Sequence, residues 1–310
     1  MTAPRQILPA STYLITRRCS ERRFFLRPEP TTSSVFGYLL AVASDLFDVE
    51  IHCAIVLGNH YHAVVTDWSG RLPQYLAWLH RLVAVVLNCY RGRWEAFWSS
   101  SKPSVVRLET APDILDKMVY VLNNAVAAGL VADAKDWPGL TTAPGDLTNR
   151  HGVEFRRPDK FFHPNGRLPE QARLRVTKPP GYAHMNDKGF AQLLQEKQAA
   201  RRQRISENFK SEGRRFAGAK RAQAVRWSDA PSTPAPRRRR DPHLAARDTE
   251  VRIRAIERLR EFRIAYREAF RRLHRGKRAV TFPAGTYALR RTLGVRCHAP
   301  PAEACWRRVP

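Results

Sequence analysis

Residues 54–65 read AIVLGNHYHAVV, two β-branched and apolar stretches separated by Gly58 and Asn59. Segments of this kind joined by a two-residue Gly-Asn link predict a β-hairpin, with strands over 49–57 and 60–66. A strand alternates faces with period two, so His60 and His62 point to one side and Tyr61 to the other. Working outward, Thr12 to Arg17 (TYLITR) has the composition of a preceding strand. Thr31 and Thr32 offer N-caps to a helix carrying Val35, Leu39, Leu40, Ala43 and Leu46. Downstream, residues 72–90 predict a long helix, 105–108 a short strand, and 110–128 a third helix opened by a Thr110/Asp113 capping pair. The order strand, helix, strand, strand, helix, strand, helix predicts an α+β fold. It matches a ferredoxin-like antiparallel sheet with helices on one face and one extra helix after it.

The chain has 310 residues, about right for a catalytic domain with a substantial appendage. Its formal net charge of +26 is divided unevenly: residues 1–150 hold 15 basic and 13 acidic side chains, whereas residues 151–310 hold 39 and 15. A near-neutral domain over 1–150, followed by a polyanion-binding region, is the expected organisation. Within that region, 151–227 is expected to be a basic helical extension and 228–247 a disordered Pro/Arg-rich linker that includes Arg237, Arg238, Arg239 and Arg240. The remainder, 248–310, is expected to form a basic C-terminal helix and tail. Helices are predicted over 188–209 and 249–274. The second carries an apolar stripe of Val251, Ile256, Leu259, Phe262, Ile264 and Phe270, with acidic-before-basic pairs Asp248/Arg252, Glu250/Arg254 and Glu268/Arg272. Five scattered cysteines without a CxxC exclude a disulfide framework, and no apolar run approaches the length of a membrane span. A soluble protein of a reducing cytoplasm, associated with the nucleoid, is expected; monomer and homodimer both remain open.

On the third helix Asp113, Lys117, Tyr120 and Asn124 fall on one line amid apolar residues. Combined with the paired-histidine strand, this polar stripe points to phosphoryl transfer: a divalent ion on His60, His62 and the Asn124 oxygen, beside a Tyr120 phenol able to attack phosphorus. Cleaving a phosphate ester needs charge neutralised on the non-bridging oxygens and an in-line nucleophile, and this set contains candidates for both. Arg17, Arg18, Arg22 and Arg23 flank the first strand and are candidates for a DNA-backbone track, joined by Arg237, Arg238, Arg239 and Arg240. His52 is expected to be a partly buried structural residue rather than a ligand. Cys297, His298 and Cys305 match no usual zinc-finger spacing.

The stretches AIVLGNHYHAVV (54–65) and YVLNNAVAAGLV (120–131), with Asp136-Trp137-Pro138 after them, resemble the single-tyrosine HUH transposases, most nearly the REP-associated tyrosine transposases. The resemblance spans about residues 11–140. It implies paired metal histidines at His60 and His62, a nucleophile at Tyr120 and a completing metal donor at Asn124. Gly129, Leu130 and Val131 match the end of the helix motif, and Phe97-Trp98 match an aromatic pair upstream of it. The sequence departs from the pattern at Gly58 and Ala125, where prolines are expected, and at Ala127, where a basic residue is expected. The implied activity is cleavage and rejoining of single-stranded DNA, usually near a hairpin, through a 5′-phosphotyrosine intermediate assisted by Mg²⁺ or Mn²⁺. A non-catalytic nucleic-acid-binding protein derived from that fold is the alternative. A replication initiator or relaxase fits less well, because here the histidine strand precedes the tyrosine helix and a single suitable tyrosine is present.

Overall fold

The computed structural model describes residues 4–233, 242–277, 279–301 and 306. Strand β1 (Ser11–Arg18) leads to helix α1 (Pro30–Phe47), followed by β2 (Val49–Leu57), β3 (His60–Asp67), α2 (Leu72–Tyr90), β4 (Ser104–Leu108), α3 (Ala111–Leu122) and a single turn α4 (Asn124–Ala127). Then come β5 (Val153–Arg156), β6 (Gln171–Leu174), α5 (Asp187–Ser211), α6 (Ala219–Ala224), β7 (Leu244–Ala245), α7 (Thr249–His274), β8 (Thr281–Phe282), α8 (Ala288–Leu293) and β9 (Arg296–Cys297). The fold is α+β. Its main sheet has the order β2-β3-β1-β4-β7; the first four strands are antiparallel to their neighbours and β7 runs parallel to β4. Leu57 pairs with His60, so Gly58 and Asn59 are the whole turn of the predicted hairpin.

Both faces of the sheet are covered. On one, α1 and α2 pack over Tyr13, Ile15, Tyr61, Ala63 and Val65. On the other, α3, α4 and α5 enclose Cys53, Ile55, Leu57 and Val64. Strand β2 serves both cores because a bulge at His52 shifts its register between Ile51 and Cys53. Val49 and Ile51 thus share a face with Ala54 and Val56 rather than with Cys53 and Ile55. His52 is structural, as expected, but fully rather than partly buried. Its Nδ1 donates to the Thr177 carbonyl at 2.8 Å and its Nε2 lies 2.7 Å from the Thr66 hydroxyl.

Several boundaries depart from expectation. Helix α1 begins at Pro30 with Glu29 in the cap position, so Thr31 and Thr32 lie inside its first turn; Thr32 Oγ1 donates to Glu29 at 2.9 Å. Residues 151–227 are not purely helical: β5 and β6 form a hairpin that packs on α1, with Ala172 and Leu174 in the first core. The fit is close, since a Cβ at Gly37 would lie 2.2 Å from the Phe155 ring. Leu244 and Ala245, expected to fall in a linker, form β7 on the sheet edge. Along α7 the buried residues are Ala255, Phe262 and Ala269, seven apart, while Ile256 and Ile264 are exposed. That helix touches β7 and β8 along one narrow seam, so the expected stripe is only partly used. Of its three expected ion pairs Glu250–Arg254 closes, whereas Asp248 instead caps the helix at the Val251 amide.

Candidate active site

Helix α3 starts where the sequence places it. Thr110 accepts from the Asp113 amide, and Asp113 accepts in return from the Thr110 amide at 3.1 Å. Its end differs from the continuous helix expected over 110–128. At Asn123 the backbone leaves helical geometry (φ −97°, ψ 9°), and the Asn123 side chain donates to the Val119 carbonyl at 3.0 Å, competing with the helical ladder. A fresh turn, α4, then runs from Asn124 to Ala127, and Gly129 just beyond it takes a positive φ of 73°. The break leaves Tyr120 half-buried and Asn124 buried against the sheet.

His60, His62, Tyr120 and Asn124 come together on this face. The imidazoles of His60 and His62 lie 4.9 Å apart between ring centroids, and the Tyr120 ring lies 5.5 Å from that of His62. A side-chain hydrogen bond links His60 to Asn124. The Tyr120 hydroxyl has no hydrogen-bond partner among the described residues. Tyr61, on the opposite face as period two requires, is fully buried with its hydroxyl 2.7 Å from His80 Nε2.

Two residues that the sequence reading passed over hold the histidines. Asn59 Oδ1 accepts from His60 Nδ1 at 2.6 Å, and Thr16 Oγ1 lies 2.7 Å from His62 Nδ1. Asn59 accepting from Nδ1 leaves the His60 lone pair on Nε2, on the side bonded to Asn124, and Thr16 accepting from His62 Nδ1 would leave that ring in the same form, the one in which a histidine ligates a metal. Burial, then the nearby Arg18 charge, lowers His60 to about 4, against the opposing effect of the Asn124 bond. His62 is lowered well below its ordinary value by burial, His60 and Arg18. Both rings are therefore neutral near pH 7. Two neutral imidazoles and an amide oxygen suit a divalent cation of intermediate to hard character. Among the described residues no group of three or more His, Cys, Asp or Glu gathers at any point, so an amide would have to be the third protein donor here.

The arginines expected to form one track part company. Arg18 lies on the site face, close enough to act on both histidines. Arg17 turns the other way, packing over Trp98 at 5.9 Å and donating to the Ser101 carbonyl. Arg22 and Arg23 are bound to the chain itself, Arg22 to Thr233 through two bonds of 2.7 Å and Arg23 to the Ser228 carbonyl. Arg237, Arg238, Arg239 and Arg240 lie outside the described residues, as does Cys305. A further cation comes from α5: the Arg201 guanidinium carbon lies 5.6 Å from the centre of the Tyr120 ring. Nothing in the spacing of that helix singles Arg201 out.

No protein-family model matches the chain, and no curated protein matches it. Among solved structures it is similar to a REP-associated tyrosine transposase bound to a REP hairpin, at 16% identity and a TM-score of 0.40. That similarity covers 56% of this chain and 98% of the other. No helix among the described residues is long and apolar enough to cross a membrane.

Proposed function

We propose that the chain is a DNA strand transferase of the single-tyrosine HUH transposase kind, cleaving and rejoining single-stranded or hairpin-bearing DNA. The observation that carries this reading is the convergence of His60, His62, Asn124 and a Tyr120 hydroxyl without a protein partner on one face of the sheet. The antiparallel order β2-β3-β1-β4 is that of a ferredoxin-like sheet with α3 as its additional helix, which supports the same reading. His60, His62 and Asn124 would hold a divalent ion, Mg²⁺ or Mn²⁺, whose charge, when bound, neutralises a non-bridging phosphate oxygen.

The remaining steps belong to the chain's own residues. Tyr120 Oη attacks phosphorus in line with the 3′ oxygen. The new O–P bond leaves a 5′-phosphotyrosine while the P–O3′ bond breaks, the phenolic proton passes to solvent, and the departing 3′ oxygen takes up a proton. Rejoining is the reverse, with a 3′-hydroxyl attacking the phosphotyrosine. Arg18 beside the histidines and Arg201 beside Tyr120 add positive charge, and the surplus of basic residues after position 150 favours a polyanionic substrate.

The test is covalent trapping. Incubated with hairpin-bearing single-stranded DNA and Mg²⁺ or Mn²⁺, the protein should form a denaturant-stable adduct. Tyr120→Phe should abolish it with DNA binding nearly unchanged, while Tyr61→Phe should retain it. Binding without any adduct from the unaltered protein would replace this reading with that of a non-catalytic DNA-binding protein.

A further inference from the structure

Helix α5 crosses α3 beside the tyrosine and is fixed there by two contacts: the Asn123 amide donates to the Gln198 carbonyl at 3.2 Å, and Arg202 pairs with Asp133. Between the two helices lies an open cleft of about 430 Å³, lined by Lys197, Arg201, Arg204, Arg247, Asp116 and Tyr182 among others. Four cations face one carboxylate. Asp116 is held by Lys117 at 3.3 Å and by Arg247 at 3.8 Å, so the surplus falls on Lys197, Arg201 and Arg204. Arg201 belongs at once to the cleft and to the surroundings of Tyr120. Its Nε is buried without a hydrogen-bond acceptor among the described residues. A buried guanidinium N–H without an acceptor is costly, and a phosphate oxygen is the partner its geometry suits best.

We propose that this cleft seats an unpaired nucleotide next to the phosphate that Tyr120 attacks, with Arg201 bridging the two. The inference rests on the strand-transferase reading and adds to it a substrate subsite built from α5 and Arg247, beyond the residues that carry the family resemblance. The volume matches a single nucleotide, and two helices in contact leave no room for a duplex. Lys197 and Arg204 take the flanking phosphates, while the base lies against the apolar wall contributed by α3. Because the cleft reads backbone charge and a flat ring, it discriminates unpaired from paired DNA rather than one base from another.

The probes are a short single-stranded oligonucleotide of randomised sequence and a blunt duplex of equal length, each titrated against the full chain at several salt concentrations. Lys197→Ala with Arg204→Ala should weaken single-strand binding by at least about tenfold. It should also make the slope of log K against log salt shallower by about 1.4, at roughly 0.7 per single-strand phosphate contact. Duplex affinity should change little. Ala200→Trp, on the exposed face of α5 within the cleft, removes no charge and should give the same selective loss by filling the space. Unchanged single-strand affinity in both variants overturns the subsite, and so does an equal loss on duplex. The covalent adduct, followed in parallel, separates the two readings. An adduct that forms normally in variants with unchanged affinity condemns the cleft alone. Absence of any adduct from the unaltered protein condemns the strand-transferase reading itself.

Discussion

Thr16→Val should weaken divalent-ion binding without dismantling the sheet. Thr16 sits directly opposite His62 across the β1–β3 ladder, and its hydroxyl oxygen lies 2.7 Å from His62 Nδ1. Valine keeps the β-branched shape, and with it the strand, but offers no acceptor. The imidazole then has two responses. It can keep its proton on Nδ1 as a buried donor without a partner, at a cost of about 1–3 kcal/mol, or move it to Nε2 and lose the lone pair that faces the site. Either response should lower ion affinity by about 10- to 100-fold, the usual consequence of removing a ligand's supporting hydrogen bond. Titrating Mn²⁺ into the protein and following free ion by electron paramagnetic resonance gives the affinity directly, and a circular dichroism melt checks the fold. Thr16→Ser restores the acceptor and should restore affinity. Wild-type affinity in Thr16→Val, or a serine variant as weak as the valine one, would refute the argument that the threonine orients the ring.

Three further outcomes are expected. Burial lowers His80 to about 3, His60 to about 4 and also His52, all below the ordinary 6.5. The unfolded chain therefore binds more protons between those values, and this part of the stability is complete above pH 6.5 and declines as pH falls towards 4. Asp67, raised to about 6 by burial, offsets part of that loss, so urea midpoints should still drop between neutral and mildly acidic pH; a flat or rising profile contradicts the assignment. Gly37→Ala should cost about 1–3 kcal/mol by pushing Phe155 off α1, seen as a lower melting temperature; an unchanged melt would mean that the β5–β6 hairpin does not pack there. Replacing both Arg22 and Arg23 with alanine should expose residues 228–233 to limited proteolysis while shifting global stability by less than about 0.5 kcal/mol, because the bonds that are lost are on the surface.

What could be read from the sequence follows from how local each signal is. The hairpin, α2 and α7 emerge within a residue or two of their bounds, because a two-residue turn and sustained periodicity need no partner to be recognised. The four candidate residues that the structure brings together are legible for the same reason: a period of two pairs His60 with His62, and a period near four pairs Tyr120 with Asn124. Elements defined by a distant partner are not legible. The bulge at His52 leaves no mark, since both faces of β2 are apolar and a one-residue shift changes nothing in the pattern. VEFR and QARL are too short and polar to announce strands, and what makes them a hairpin is α1 beneath them. Thr16 becomes a partner of His62 only through strand register, and Arg201 reaches Tyr120 only through the crossing of α5 over α3. The expectation that Arg17 and Arg18 act together neglects the same alternation that correctly separates Tyr61 from the histidines.

The sheet also carries its own internal comparison for the candidate site. On the α1–α2 face, Tyr61 and His80 form a closed pair, the hydroxyl 2.7 Å from the ring nitrogen and both residues buried. At the bulge, His52 has a carbonyl on one nitrogen and a hydroxyl on the other, and the Thr66 hydroxyl that serves it is supported in turn by Thr12 at 2.8 Å. These are buried polar groups satisfied within the fold, as a structural role demands. The third set differs. His60 and His62 have their Nδ1 atoms held by Asn59 and Thr16, His60 is linked to Asn124 as well, and the half-buried Tyr120 ring lies 5.5 Å from that of His62. Burying two imidazoles this way costs stability that apolar side chains on β3 would have avoided. The contrast with the closed settings of His52 and His80 supports the proposal that His60, His62 and Asn124 hold a divalent cation rather than serve the fold alone.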